Sequence, residues 1–283
     1  MTENVNSKIE TIQAFIAAVQ QDHINGVEVF YRGTDRAYPT VAPSLFRSQS
    51  LRNAEKDIFN SMLASHPDSF REDTSTLDKL VRMQHHGLPT RLLDITSNPL
   101  VALFFASISP EKRNGDGEVL RFEFRSVDVK YPDSDRAAVM ANLAKLTLHQ
   151  KQQLDTSFQR DAFNQLPSLK PLLHFIRQEK SYFEPTIKPE HIDGIMVIRG
   201  KHSNARIIAQ SGAFLLFGER MKFEDSPKGR DIRLQKFIIK KDAKESIREE
   251  LDQLNINQRT LFPSLESTAA YLKMKFDVAP ARS

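Results

Sequence analysis

Apolar residues recur along the chain at two spacings, and each spacing marks a kind of element. Ile9, Ile12, Ile16 and Val19 fall at helical intervals behind Ser7 and Glu10, a capping-box pair, and predict a first helix over 6–21. Residues 27–31, Val-Glu-Val-Phe-Tyr, are rich in strand formers and are closed by Gly33. Helical spacing returns over 52–64 and over 76–86. In the latter, Leu77, Leu80, Val81 and Gln84 are in step, Gly87 serves as a left-handed terminator and Pro89 bars continuation. A short strand is expected at 91–93. Asn98-Pro99 opens a helix over 99–107, apolar almost all round and therefore central.

The turn Asn114-Gly115-Asp116-Gly117 leads into an alternating strand over 118–125. Residues 136–180 read as mainly helical, interrupted by Pro167 and Pro171. Strands follow at 194–198, 213–217 and 233–239, with a short helix or turn over 204–210 and helices after Asp242 and Ser264. No internal repeat, low-complexity tract or interdomain linker interrupts the pattern. It predicts one α+β domain with a helical insertion over about 136–180.

Composition narrows the setting. With 283 residues and 40% hydrophobic content, the chain can bury a core without staples. The lack of cysteine excludes a disulfide scaffold and a cysteine-ligated zinc site, and fits a reducing compartment. Met1-Thr2-Glu3-Asn4 offers neither the basic region nor the apolar stretch of a secretion signal, and no uncharged apolar run is long enough to cross a bilayer. A cytoplasmic protein with no membrane partner is expected. The net charge of +4 is uneven: residues 199–248 hold 13 Lys or Arg against 6 Asp or Glu, a surplus of 7 that leaves about −3 elsewhere. That third is either a polyanion footprint or a solvated face of ordinary elements.

Three segments concentrate candidate chemistry. Phe30-Tyr31-Arg32-Gly33 puts an arginine fork at the end of an apolar strand, suited to phosphate or carboxylate, with Gly33 free to turn or to approach a ligand. The competing reading pairs Arg32 with Asp35. Residues 84–99, Gln-His-His-Gly-Leu-Pro-Thr-Arg-Leu-Leu-Asp-Ile-Thr-Ser-Asn-Pro, hold two histidines, an arginine, an aspartate, two threonines and an asparagine. Polar groups so dense need partners or ligands. Adjacent histidines point apart, and no His-Glu-x-x-His pattern occurs, so no metal is expected. The structural alternative has Asp94 holding Arg91 and Thr96 capping the next helix. In the third segment, Arg206 and Gln210 lie four apart on one helix face, with Gly212 as terminator in the plainer reading. No Gly-rich phosphate loop is present.

Together, Tyr31-Arg32-Gly33, residues 84–94 with Asn98-Pro99, Arg206-Ile207 with Gln210, and Gly212-Ala213-Phe214 resemble the FRG domain, a family named for its Phe/Tyr-Arg-Gly triplet. Leu261-Phe262-Pro263-Ser264-Leu265 resembles its closing motif, so the likeness runs over about 25–275 and takes the chain as a single FRG domain. Ile95 stands where the family more often has an aromatic residue, and Glu266-Ser267 where an acidic residue followed by glycine is commoner.

The order of these motifs is similar to the mono-ADP-ribosyltransferase plan. The resemblance implies a split mixed β-sheet core with flanking helices, NAD as substrate, and no metal. Tyr31, Arg32, Gly33, His85, Arg91, Asp94 and Thr96 are then the NAD-contacting candidates. His86, Gln210 and Glu219 are the catalytic candidates, with Glu266 a further carboxylate; a glutamine cannot itself act as a base. Members look like toxin or antiphage-defence components in bacteria. That implies a toxin modifying a macromolecule, with RNA, DNA and protein open as acceptors and a nucleic acid, RNA above all, favoured if the basic third faces the site. A toxin would also call for an antitoxin protein to neutralise it. Two other classes stay open. One is a nucleotide- or nucleic-acid-binding sensor without catalysis, the other a nuclease using His85 and His86 as acid and base.

Overall fold

The computed structural model describes residues 7–20, 24–108, 115–201, 205–220, 222–223 and 233–276. Eight strands make one mixed sheet: β1 (Ser7–Ile9), β2 (Val27–Thr34), β3 (Leu92–Thr96), β4 (Gly117–Arg125), β5 (Val129–Lys130), β6 (Ile195–Arg199), β7 (Gly212–Phe217) and β8 (Arg233–Ile239). Their order is β1-β8-β4-β2-β3-β7-β6-β5. Neighbours are antiparallel except at the two ends, where β1 runs parallel to β8 and β5 to β6.

Pairing across the sheet is uneven. β2 matches β4 from Val27–Arg125 through Thr34–Glu118, and β3 matches β7 along its whole length. Between β2 and β3, however, the only matched residues are Tyr31 and Thr96. The sheet is therefore two four-stranded halves, β1-β8-β4-β2 and β3-β7-β6-β5, joined at one rung.

Helices cover one face of each half. The principal ones are α1 (Ile12–Val19), α2 (Glu55–Ser65), α3 (Thr76–His85), α4 (Pro99–Ser107), α5 (Asp135–Asn142), α6 (Lys170–Glu179), α7 (Ala205–Ala209) and α8 (Lys244–Gln253). Phe15 of α1, Leu103 of α4 and Ile247 of α8 pack with Tyr31, Val119 and Phe237 on the first half. Leu80 and Met83 of α3 and Met140 of α5 pack with Leu92, Phe214 and Leu216 on the second. Tyr31 is registered with Thr96, and Thr96 shares a face with Leu92, so both clusters lie on the same side of the sheet. On the opposite side, Phe30, Leu93, Ile95, Leu120 and Phe217 form one cluster that runs unbroken across the seam.

Several expectations needed correction. The first helix is not continuous over 6–21. Residues 7–9 add to the sheet edge beside β8, with Ile9 opposite Ile239, and Thr11 caps the shorter α1 by accepting from Ala14 N at 3.1 Å. Residues 21–23 and Asn114 lie outside the described residues. The helix expected over 52–64 is divided into Gln49–Asn53 and α2. β2 does not close at Gly33 but runs through it, because α4 lies directly on that backbone. A Cβ at Gly33 would sit 1.7 Å from the Ala102 oxygen. Gly87 does terminate α3, with φ +82°, whereas Ser211 (φ 46°) makes the turn after α7 and Gly212 opens β7. Met140 and Ala141 of α5 belong to the sheet-packed core, while Val139 and Leu143 pack with Leu172 and Ile176 in a cluster of their own.

Candidate functional site

Arg32 stands just past the single rung. Its Nη1 donates to the Asp94 main-chain oxygen at 2.6 Å, so a side chain spans the gap where a strand ladder would otherwise continue. Among the described residues its other N–H groups have no protein acceptor. Burial pulls its pKa below the ordinary value, with the Asp94 carboxylate opposing that and Arg47 adding to it. A guanidinium so shifted is still cationic at neutral pH.

Around it lies a cleft of about 180 Å³. Tyr31, Arg32, Gly33, Asp94, Ile95 and Thr96 supply its floor, Val101 and Phe105 of α4 one wall, and Arg206 and Gln210 at α7 the other. The cleft lies at the seam between the half-sheets, with α4 on one side and α7 on the other. Asp94 is the only carboxylate bordering it among the described residues.

The segment from Gln84 to Asn98 builds this floor largely from its own hydrogen bonds. Gln84 Nε2 donates to the Leu92 oxygen at 3.2 Å and to Asp94 Oδ2 at 3.0 Å, and its Oε1 accepts from Thr90 Oγ1 at 2.6 Å. Thr96 Oγ1 donates to the Gln210 oxygen at 2.7 Å and accepts from Asn98 N at 3.0 Å. The cap of α4 is Asn98, whose Oδ1 accepts from Leu100 N at 2.9 Å, so Thr96 positions the Gln210 turn instead. The Gln210 side-chain amide donates to the Leu261 oxygen at 3.0 Å.

Arg91 and Glu219 are elsewhere. Arg91 is 0% exposed, and all five of its N–H donors are engaged within the protein. Nε and Nη2 grip the Glu55 carboxylate at 2.8 and 2.6 Å, Nη1 donates to the Phe217 and Gly218 oxygens, and Nη2 also reaches Glu219 Oε1 at 3.3 Å. No donor is left for a pyrophosphate. Glu219 is held by Arg91 and by Arg52 at 3.3 Å, so it is part of this buried network and not a residue of the cleft. Asp94 does not hold Arg91; Glu55 does. Burial pushes the Glu55 carboxyl upward, and Arg91 and Lys151 more than reverse it, leaving it below the usual carboxylate range.

The histidines face a neighbouring groove of about 450 Å³, bordered also by Asp78, Arg82, Lys201 and Phe214. His86 is an exposed C-cap of α3. The His85 ring lies 6.2 Å from that of Phe214. Burial lowers its pKa, nearby Arg206 lowers it further, and Asp94 partly opposes them. Arg206 stands between groove and cleft, with Nη1 3.4 Å from the His85 oxygen and its guanidinium 4.9 Å from the centre of the Phe262 ring. The fold thus gathers Tyr31, Arg32, Gly33, Asp94, Thr96 and Gln210, sets His85 at the margin with His86 beyond it, and places Arg91 and Glu219 in the core. The side chain of Glu266 lies outside the described residues.

Sequence reasoning did not assign Val101, Phe105 or Arg206 to the site. The spacing of Arg206 and Gln210 was the one available signal. Among the described residues of the basic third, Arg199, Lys201, Lys236 and Lys240 are paired with Glu28, Asp78, Glu118 and Asp116. Among the described residues no group of three or more His, Asp or Glu is placed to hold a metal ion, and no helix is long and apolar enough to cross a membrane.

No curated protein and no solved structure matches the chain. The FRG domain model matches residues 27–115, which run from the start of β2 through α4 and include both Arg32 and the whole segment from Gln84 to Asn98. The chain carries an FRG domain, and the seam of the sheet lies within it.

Proposed function

We propose that the seam cleft binds the nicotinamide–ribose end of NAD and that the protein is an ADP-ribosyltransferase. The observation that carries this reading is the split itself. A single rung joins two half-sheets, an arginine with unsatisfied donors bridges the gap, and one carboxylate borders the space between them. At about 180 Å³ the cleft is smaller than the ~300–1,000 Å³ usual for a whole drug-sized ligand, so it encloses one end of a dinucleotide.

In this reading the bond between nicotinamide and the ribose C1′ breaks, and nicotinamide leaves with the electron pair. Positive charge develops on the sugar. Asp94, held by Gln84, offers the carboxylate that stabilises it, in place of the glutamate that Glu219 does not supply. The acceptor nucleophile closes on C1′ and releases its proton to that carboxylate or to water. Arg32 grips the anionic side of the ligand, Phe105 and Tyr31 give apolar walls, and Gln210, fixed by Leu261, shapes the far rim. The pairing of Arg199, Lys201, Lys236 and Lys240 with carboxylates weakens charge as a reason to prefer RNA over protein as acceptor, and the toxin and antitoxin expectations rest on family likeness alone.

The absence of Glu219 from the cleft favours one second reading, a nucleotide-binding module without turnover. Incubating the protein with labelled NAD and a lysate of RNA and protein, beside Arg32→Ala, separates the two. Label transferred to a macromolecule, and lost in the variant, supports the transferase. NAD binding without transfer or nicotinamide release supports the module.

A further inference from the structure

The loop after β2 carries positive charge that the cleft does not use. Two guanidiniums stack on Tyr38, with the Cζ of Arg47 4.5 Å and that of Arg36 5.0 Å from the ring centroid. Arg47 is further fixed by donation from Nε to the Ala42 oxygen at 3.1 Å. Arg32 borders a small cavity together with Tyr38 and Arg47, on the other side from the cleft it also borders. Three arginines thus gather about one tyrosine, and Arg32 is shared with the seam.

Their neutralisation is incomplete. Among the described residues neither Arg36 nor Arg47 has a carboxylate partner, whereas Arg82, Arg91 and Arg199 are paired with Asp73, Glu55 and Glu28. Glu118 borders the same small cavity but has Lys236 at 3.8 Å, and the Asp94 carboxylate accepts from Gln84. Stacking orders the two guanidiniums without consuming their in-plane donors, which suits bidentate recognition of phosphate.

We propose that Arg36 and Arg47, ordered on Tyr38, form the phosphate-binding arm of the cleft and take the pyrophosphate of a dinucleotide whose sugar end lies beside Asp94. The inference rests on the reading of the cleft as a dinucleotide site. A cleft that holds one end of the ligand must let the rest leave, and Arg32 marks the shared wall across which it does so. The arm recognises phosphate, not nicotinamide, so phosphate-containing probes address it directly.

Calorimetric titration of the full chain with inorganic pyrophosphate and with ADP-ribose tests it, using wild type, Arg36→Gln, Arg47→Gln and the pair. Both arginines are exposed, and Arg47→Lys is a milder variant that keeps charge but not the fork. Each glutamine is expected to weaken both probes about tenfold, as the loss of one charge-assisted contact does, with Arg47→Lys between. Nicotinamide riboside, which has no phosphate, should bind all variants alike. No pyrophosphate binding by wild type, or equal binding by the double variant, overturns the arm. ADP-ribose binding that depends on both arginines, without any transfer by wild type, keeps the arm and removes the transferase. Transfer at the wild-type rate and NAD affinity in the double variant keeps the transferase and removes the arm.

Discussion

The guanidinium of Arg32 reaches the main-chain oxygen of Asp94 at 2.6 Å, just beyond Tyr31–Thr96, the one rung between β2 and β3. A side chain therefore bridges two half-sheets at the place where backbone pairing stops, and Arg32 also borders the cleft at that seam. Arg32→Lys should retain the charge but lose the fork that spans the gap while leaving donors for a ligand. NAD binding is expected to fall at least about tenfold, with a melting temperature near that of wild type. Unchanged binding in a folded Arg32→Lys protein would remove Arg32 from the site.

Arg91 tells the opposite story from a similar motif. With every donor engaged and no exposure, its role is to hold Glu55, Glu219 and the end of β7 together. Arg91→Ala leaves Glu55 buried with only Lys151 as counter-charge, and should cost about 3–5 kcal/mol in urea unfolding. A variant that kept its stability but lost ligand binding would restore Arg91 to the cleft.

Gly33 is constrained by packing, since its missing Cβ leaves room for the Ala102 oxygen of α4. Gly33→Ala must push α4 away from β2, a strain of about 1–3 kcal/mol or more. Because α4 also forms a wall of the cleft, stability and ligand binding should fall together. Calorimetry on the same sample reads both, and a stable Gly33→Ala protein with full binding would contradict this packing.

Acidification should destabilise the fold in two stages. His85 has a lowered pKa in the folded state, so the unfolded chain binds its proton first as pH falls through about 6.5, and stability declines until the folded value is reached. Glu55 is also lowered; its contribution is complete above the ordinary carboxyl value of about 4.3 and is lost as pH falls through the folded one. Melting temperature against pH should show the upper stage in wild type and not in His85→Gln. The same upper stage in both would exclude His85 as its source.

The sequence reveals the elements better than their relations. The strand at 233–239 and the helix at 99–107 follow from alternation and from Asn98-Pro99, both local signals. The N-terminal correction shows the limit of periodicity. Ile9 and Ile12 enter the same core, one from a strand and one from a helix, so their spacing cannot distinguish the two. The Tyr-Arg-Gly triplet and the segment around Asp94 meet at one cleft. Which arginine is free depends on partners far along the chain. Arg91 meets Glu55 from 36 residues before it and Glu219 from 128 after, while Arg32 meets only a carbonyl 62 residues on. No local pattern carries that difference.

Asp94→Asn provides the most direct test of the cleft as a catalytic site. The amide keeps the size of the side chain, so the fold and NAD binding should be retained. Nicotinamide release from NAD would be measured for wild type and variant at equal saturation. Release by wild type that falls about 100-fold or more in Asp94→Asn, with binding intact, is the predicted result. Equal release by both proteins would show that the chemistry lies elsewhere in the molecule.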